Sequence, residues 1–212
     1  MSERGMIFNG EMVRAILEGR KTQTRRVLAT YQDAVKFCPE WDVNGKQIFI
    51  VLGEKDHTGM NPVITAIPCP FGQPGDRVWV RETFRVHSRA TDVATLVYRA
   101  SVRNSWTEQT HRVPVAVCNK PATPEKWTPS IHMPRWASRI TLEITDVRVE
   151  RLNDIRECDA KAEGGQTECT LIGDKYYPGF RSLWKSIYGE ESWAANPWVW
   201  VIEFKRVEGG AA

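Results

Sequence analysis

The chain has 212 residues, 42% of them hydrophobic and 26% charged, with 29 Lys and Arg against 26 Asp and Glu. This is ordinary globular composition for one large domain with its own core, and a net charge of +3 is too small to mark a nucleic-acid protein by charge alone. No apolar run reaches the roughly eighteen residues a spanning helix needs, and MSERGMIFNGEMV lacks the apolar stretch of a secretory signal, so a cytoplasmic location and no membrane partner are expected.

In chain order, Met12, Val13, Ile16 and Leu17 recur at helical spacing between Asn9-Gly10 and Gly19, which predicts a short amphipathic helix with an N-cap and a glycine stop. The stretch GRKTQTRR follows at once. From 14 to 26 the chain carries Arg14, Arg20, Lys21, Arg25 and Arg26 against Glu18 alone. That patch is either a solvated loop or a place where an anion such as a phosphate docks. Two apolar runs, Ile48–Leu52 and Val63–Ile67, stand among Pro, Gly, Asp and Lys, and residues 31–67 read as an insertion outside the core. Pro74-Gly75-Asp76 signals a turn, after which Val78 and Val80 alternate with Arg77, Trp79 and Arg81 as in a strand. Ala94–Tyr98 predicts another strand inside a second, polar and proline-containing insertion at about 85–126.

Further on, Ile140, Leu142 and Ile144 alternate and then shift phase to Val147 and Val149, which predicts a bulge or bend near Asp146. Asp154 with Glu157 three positions later predicts an N-cap and a helix over 155–163 before Gly164-Gly165. Phe180, Leu183, Trp184 and Ile187 predict a second helix stopped by Gly189. Trp198–Val207 is apolar on both faces, as in a central strand. The expected class is α+β, with antiparallel strands curled into a small barrel, short flanking helices and two insertions in a single domain. Five scattered cysteines without a CxxC pair read as free thiols. Cys38-Pro39, Cys69-Pro70 and His132 lack the close pairing of a zinc site, and no metal or cofactor is expected.

Three blocks in this order, Gly19-Arg20-Lys21-Thr22-Gln23-Thr24-Arg25, Gly75-Asp76-Arg77-Val78-Trp79-Val80-Arg81-Glu82 and the terminal strand Val199–Lys205, resemble the ASCH domain of the PUA-like superfamily. With Ser130-Ile131-His132-Met133-Pro134-Arg135-Trp136 added, the chain is similar to the long form carried by phages and prophages. The resemblance implies a PUA-like curved β-barrel with a cleft for a nucleotide or nucleic acid. One branch of the family removes the acetyl group from N(4)-acetylcytidine with a lysine and a threonine in GxKxxT and a glutamate on a later helix. Residue by residue, these fall on Lys21, Thr24 and Glu163.

The residue types suit that chemistry under a geometric condition. Amide hydrolysis needs a nucleophile, a base and a holder for oxyanion charge. A lysine works as a base only if its pKa falls well below about 10.4, which burial and the like charges of Arg20, Arg25 and Arg26 would promote. Lys21 and Thr24 differ in strand parity, so a turn after Gly19 must bring them together. Glu163 at a helix C-terminal end meets a macrodipole that disfavours its charge, which suits proton transfer, or it is a solvated residue before a glycine stop.

Arg20, Arg25, Arg26, Trp79, Arg81, Glu82, His132, Arg135 and Trp136 are the candidate substrate-binding residues. Trp79 and Trp136 could stack a base, whereas Trp184, Trp198 and Trp200 read as core. Glu82 lines a cleft or pairs with a cation, and His132 is a ligand or a hydrogen-bonded structural residue. The expected partner is therefore a nucleoside or nucleic acid, and the expected activity is amide hydrolysis on an acylated cytidine. The alternatives are an RNA or modified-base binding module without turnover, and a ribonuclease.

Overall fold

The computed structural model describes residues 2–101 and 110–207, an α+β chain built mostly of strands, with no closed barrel among the described residues. It divides into two compact units, one of residues 1–19, 77–143 and 206–212 and the other of residues 20–76 and 144–205.

In the first unit, β1 (Glu3–Ile7) pairs in parallel with β6 (Arg77–Arg81), which pairs antiparallel with Thr141–Glu143 at the start of β10 (Thr141–Arg151). Gly5 is needed in β1 because a Cβ there would lie 2.6 Å from the Trp79 indole. Helix α1 (Gly10–Leu17) forms as its sequence predicts: the Asn9 side chain accepts the Met12 N–H at 2.8 Å, and Gly19 exits at φ +73. A second sheet in this unit is the meander β7 (Phe84–Arg89), β8 (Val93–Tyr98) and β9 (Thr110–Pro114). Phe84, Val86, Leu96, Tyr98 and Val113 pack with Met133 as a buried cluster. Residues 85–126 therefore build core rather than a peripheral loop, because alternate positions on these short polar strands are apolar. The part at 102–109 lies outside the described residues.

In the second unit, β2 (Gln23–Val27) pairs antiparallel with β13 (Trp198–Arg206). Strand order runs β10-β13-β2, and Val199, Trp200, Val201 and Ile202 are all buried, as expected for a central strand covered on both faces. β3 (Lys36–Trp41), β4 (Gln47–Leu52) and β5 (Val63–Pro68) form a separate antiparallel sheet. Phe49 meets Trp200 edge-on at 5.1 Å, as Phe37 meets Trp198 at 5.0 Å. Residues 31–67 thus contribute core aromatics, which corrects their reading as a peripheral insertion. In β10 the buried positions pass from Leu142 and Ile144 to Val147, which carries the phase shift seen in the sequence within one continuous strand.

Helix α2 (Glu157–Ala162) starts two residues later than the 155–163 prediction. Asp154 ends a 3-10 turn, Ile155 is buried in extended conformation, and the Asp159 carboxylate accepts the Arg156 N–H at 3.3 Å. Glu157, the expected capping partner, instead accepts the Tyr176 and Tyr177 N–H groups at 2.6 and 3.0 Å. It thereby caps α3 (Tyr176–Tyr188), which follows the hairpin β11 (Glu168–Thr170) and β12 (Gly173–Lys175) and precedes α4 (Glu190–Ala194). Gly189 closes α3 at φ +87 as predicted. Among the described residues no helix is long and apolar enough to cross a membrane.

Candidate active site

The helix exit at Gly19 delivers the chain into the second unit in extended form. Lys21 forms a β-bridge with Glu163, the Thr22 N–H donates to the Ala162 carbonyl at 2.9 Å, and the Phe204 N–H donates to the Thr22 carbonyl at 2.9 Å. These backbone bonds fix Lys21 beside the C-terminal end of α2. Lys21 Nζ donates to Glu163 Oε2 and to the Glu163 carbonyl, both at 2.8 Å. Arg25 Nη1 donates to the other carboxylate oxygen at 3.2 Å. Two residues assigned to one site by family resemblance, 142 positions apart, are in direct contact.

Parity decides which neighbours join them. Residues 21, 23 and 25 project to one side: Gln23 accepts from Arg148 at 3.2 Å, and Arg25 reaches Glu163 and Glu150. Thr24 projects to the other side, paired with Ile202 in the β2–β13 register next to the Arg26–Trp200 pair. Within β2, Thr24 alternates with Gln23 and Arg25, whose side chains join the Lys21–Glu163 network, so its hydroxyl is carried to the face opposite theirs.

The cation patch is split: Lys21 and Arg25 are buried, Arg26 is half-buried, and Arg14 and Arg20 are exposed. Lys21 is 2% exposed and Arg25 3%, so neither offers its charge to a docking anion. Arg25 pairs with Glu163, with Glu150 at 3.1 Å and more distantly with Asp159, while Arg148 pairs with Glu150, Asp146, Asp159 and Glu203. Around Lys21 the nearest charges are thus carboxylates as much as guanidinium groups. Burial pushes the Lys21 ammonium below its ordinary pKa, and Arg26 and Arg25 push weakly the same way, against the Glu163 carboxylate, which favours the charged amine. Of the two causes expected from the sequence, burial leads and like charge contributes less. Glu163 follows a six-residue helix and has two cations, Lys21 and Arg25, within hydrogen-bonding distance. Arg20 donates to the Gly164 carbonyl at 3.0 Å, clamping the Gly164-Gly165 turn.

Arg148, Glu150 and Asp159 are members of this network that sequence reasoning missed. Their signal was present: Asp146, Arg148 and Glu150 alternate with Val147 and Val149, a charged strand face opposed to an apolar one.

The remaining candidates belong to the first unit. Trp79 packs over Gly5, with the Arg81 guanidinium 5.4 Å from its ring, and Trp136 meets Phe84 edge-on at 6.4 Å; both are half-buried against the core cluster. Arg81 donates to the Ile131 carbonyl, and Arg135 donates to Glu3 at 2.8 Å and to Thr141 Oγ1 at 3.3 Å. His132 is exposed at the end of a 3-10 turn. Glu82 is buried and gripped by Arg139 through two bonds of 2.9 and 3.1 Å; burial raises its pKa, against the pull of Arg139. Arg139 also donates to Ser101 at 2.8 Å and lies 4.1 Å from the Tyr98 ring. Among the described residues no three His, Cys, Asp or Glu side chains are placed to hold a metal ion.

No protein-family model matches the chain, and neither a curated protein nor a solved structure matches it.

Proposed function

We propose that the chain is an ASCH-type, PUA-like protein that hydrolyses the amide of an acylated cytidine nucleoside or nucleotide at Lys21 and Glu163. The observation supporting this reading is the 2.8 Å contact between the lysine amine and the distant carboxylate, with the lysine pKa lowered by burial. A lowered pKa makes the neutral amine accessible as a base. Water is the nucleophile, since Thr24 projects from the opposite strand face. It adds to the acyl carbonyl carbon while Lys21 takes its proton. The C–N bond then breaks, the acid departs, and Glu163 relays the proton to the leaving amine. Lys21 and Glu163 are 2% and 4% exposed, so the reaction requires the Gly164-Gly165 turn to open past the Arg20 clamp.

That burial also favours a second reading, a binding module for RNA or a modified base in which the network only stiffens the fold. Purified protein incubated with N(4)-acylcytidines and with labelled RNA separates the two. Hydrolysis is expected for the wild type and for Thr24→Val, and is expected to vanish in Lys21→Ala and Glu163→Gln with circular dichroism unchanged. RNA retention without product from any acylcytidine overturns the hydrolase in favour of the binding module; strand scission favours a ribonuclease.

A further inference from the structure

The first unit holds a cavity of about 570 Å³ that the Lys21 chemistry does not use. Backbone bonds from the Phe8 N–H to the Arg81 carbonyl at 3.2 Å and from the Arg99 N–H to the Thr83 carbonyl at 3.0 Å tie together the segments that line it. Its size lies within the roughly 300–1,000 Å³ typical of small-molecule sites. One wall is apolar, from Ile7, the buried Phe8 and Ala100. The polar residues lining the cavity include Thr83, Ser130, Arg14 and Arg99.

The charges around it decide the class of ligand. Arg14 Nη1 donates to the Ala100 carbonyl at 3.2 Å, so its partner there is neutral and its fork is held at the cavity wall. Two carboxylates also line the space, Glu11 and Glu82. Both oxygens of Glu82 are occupied by Arg139, which brings its own positive charge. Counting Arg14, Arg99 and Arg139 against Glu11 and Glu82, one positive charge is left over. Guanidinium forks beside hydroxyl donors match the oxygens of a phosphate, and the apolar wall matches a compact organic body.

We propose that this cavity binds a small organic monophosphate, with Arg14 and Arg99 holding the phosphate and Thr83 and Ser130 completing its contacts. The proposal is independent of the amidohydrolase reading, whose chemistry rests on Lys21 and Glu163, neither of which lines this cavity. The test is isothermal titration of the full chain with ribose 5-phosphate, ribose and inorganic phosphate. Saturable binding of ribose 5-phosphate is expected, weaker binding of inorganic phosphate, and none of ribose. Arg14→Gln and Arg99→Gln, both exposed and so compatible with folding, are each expected to weaken binding about tenfold, the loss of one charge-assisted contact. Absence of binding, equal affinity for inorganic phosphate, or affinity unaltered in both arginine variants each overturns the assignment.

Discussion

Lys21, Arg25 and Glu163 form an asymmetric triangle: one carboxylate serves two buried cations. Removing the carboxylate takes from Lys21 its ion-pair partner while Arg25 keeps Glu150, whereas removing Lys21 leaves Glu163 paired with Arg25. Breaking a buried pair by deleting one partner costs about 3–5 kcal/mol, because an uncompensated charge remains. Glu163→Gln is therefore expected to lower stability by about 3–5 kcal/mol, and Lys21→Met by less, since Arg25 still neutralises the carboxylate. Urea denaturation of the two variants checks the order; a larger loss for Lys21→Met sinks the account. In the first unit, among the described residues, the cation paired with Glu82 is Arg139, which grips both its oxygens. Arg139→Met belongs with the severe class, again by about 3–5 kcal/mol.

Helix α3 depends on two contacts that its own sequence does not advertise. Its N-terminal amides at Tyr176 and Tyr177 are capped by Glu157, a residue on another helix. Those amides hold the Glu157 carboxyl below its ordinary 4.5. A depressed carboxyl contributes stability above the unfolded value, and the contribution disappears as pH falls through the folded one. Glu157→Gln is expected to flatten that part of the acid profile, measured as denaturation midpoint against pH. One turn into the helix, a Cβ on Gly179 would sit 1.9 Å from the Gln166 carbonyl oxygen. That atom is backbone and cannot rotate away. Gly179→Ala is expected to destabilise even though alanine is by about 0.8–1.0 kcal/mol the better helix former; a stabilised variant would show that this close approach does not exist.

The pH dependence of the whole chain follows from the sum of its shifted groups. Glu3, beside Arg135, and Asp42, Asp56 and Glu157, bonded chiefly to Lys46, Thr58 and Tyr176, are all held below their ordinary values. Burial lowers His111 from 6.5, so below that pH the unfolded chain takes up its proton more readily. Lys21, lowered from 10.5 by burial, acts in the same direction at high pH. Burial raises Glu82 instead, and its contribution falls as pH rises above 4.5. Stability is thus expected to increase from pH 4 to pH 8, checked by urea midpoints in buffers of constant ionic strength. A higher midpoint at pH 4 would mean that buried Glu82 dominates.

Local pattern carried the regular elements. Helix α1 with Asn9 and Gly19, the stop of α3 at Gly189, strand β6 and the doubly buried β13 were legible because each reads directly as periodicity plus a terminal signal. Strands β1, β2, β7 and β9 were not, since Arg, Glu, Gln and Thr dominate them and their pairing comes from partners far along the chain. The motif residues Lys21 and Glu163 could be named from the sequence, and so could the parity conflict of Thr24. Only the tertiary structure decided that the lysine meets the glutamate and Arg25 rather than the threonine, and that these charges are buried among Glu150, Asp159 and Arg148. The reason is physical: periodicity is a property of neighbours, whereas desolvation and ion pairing depend on which distant segments the folded backbone sets within about 3 Å of one another.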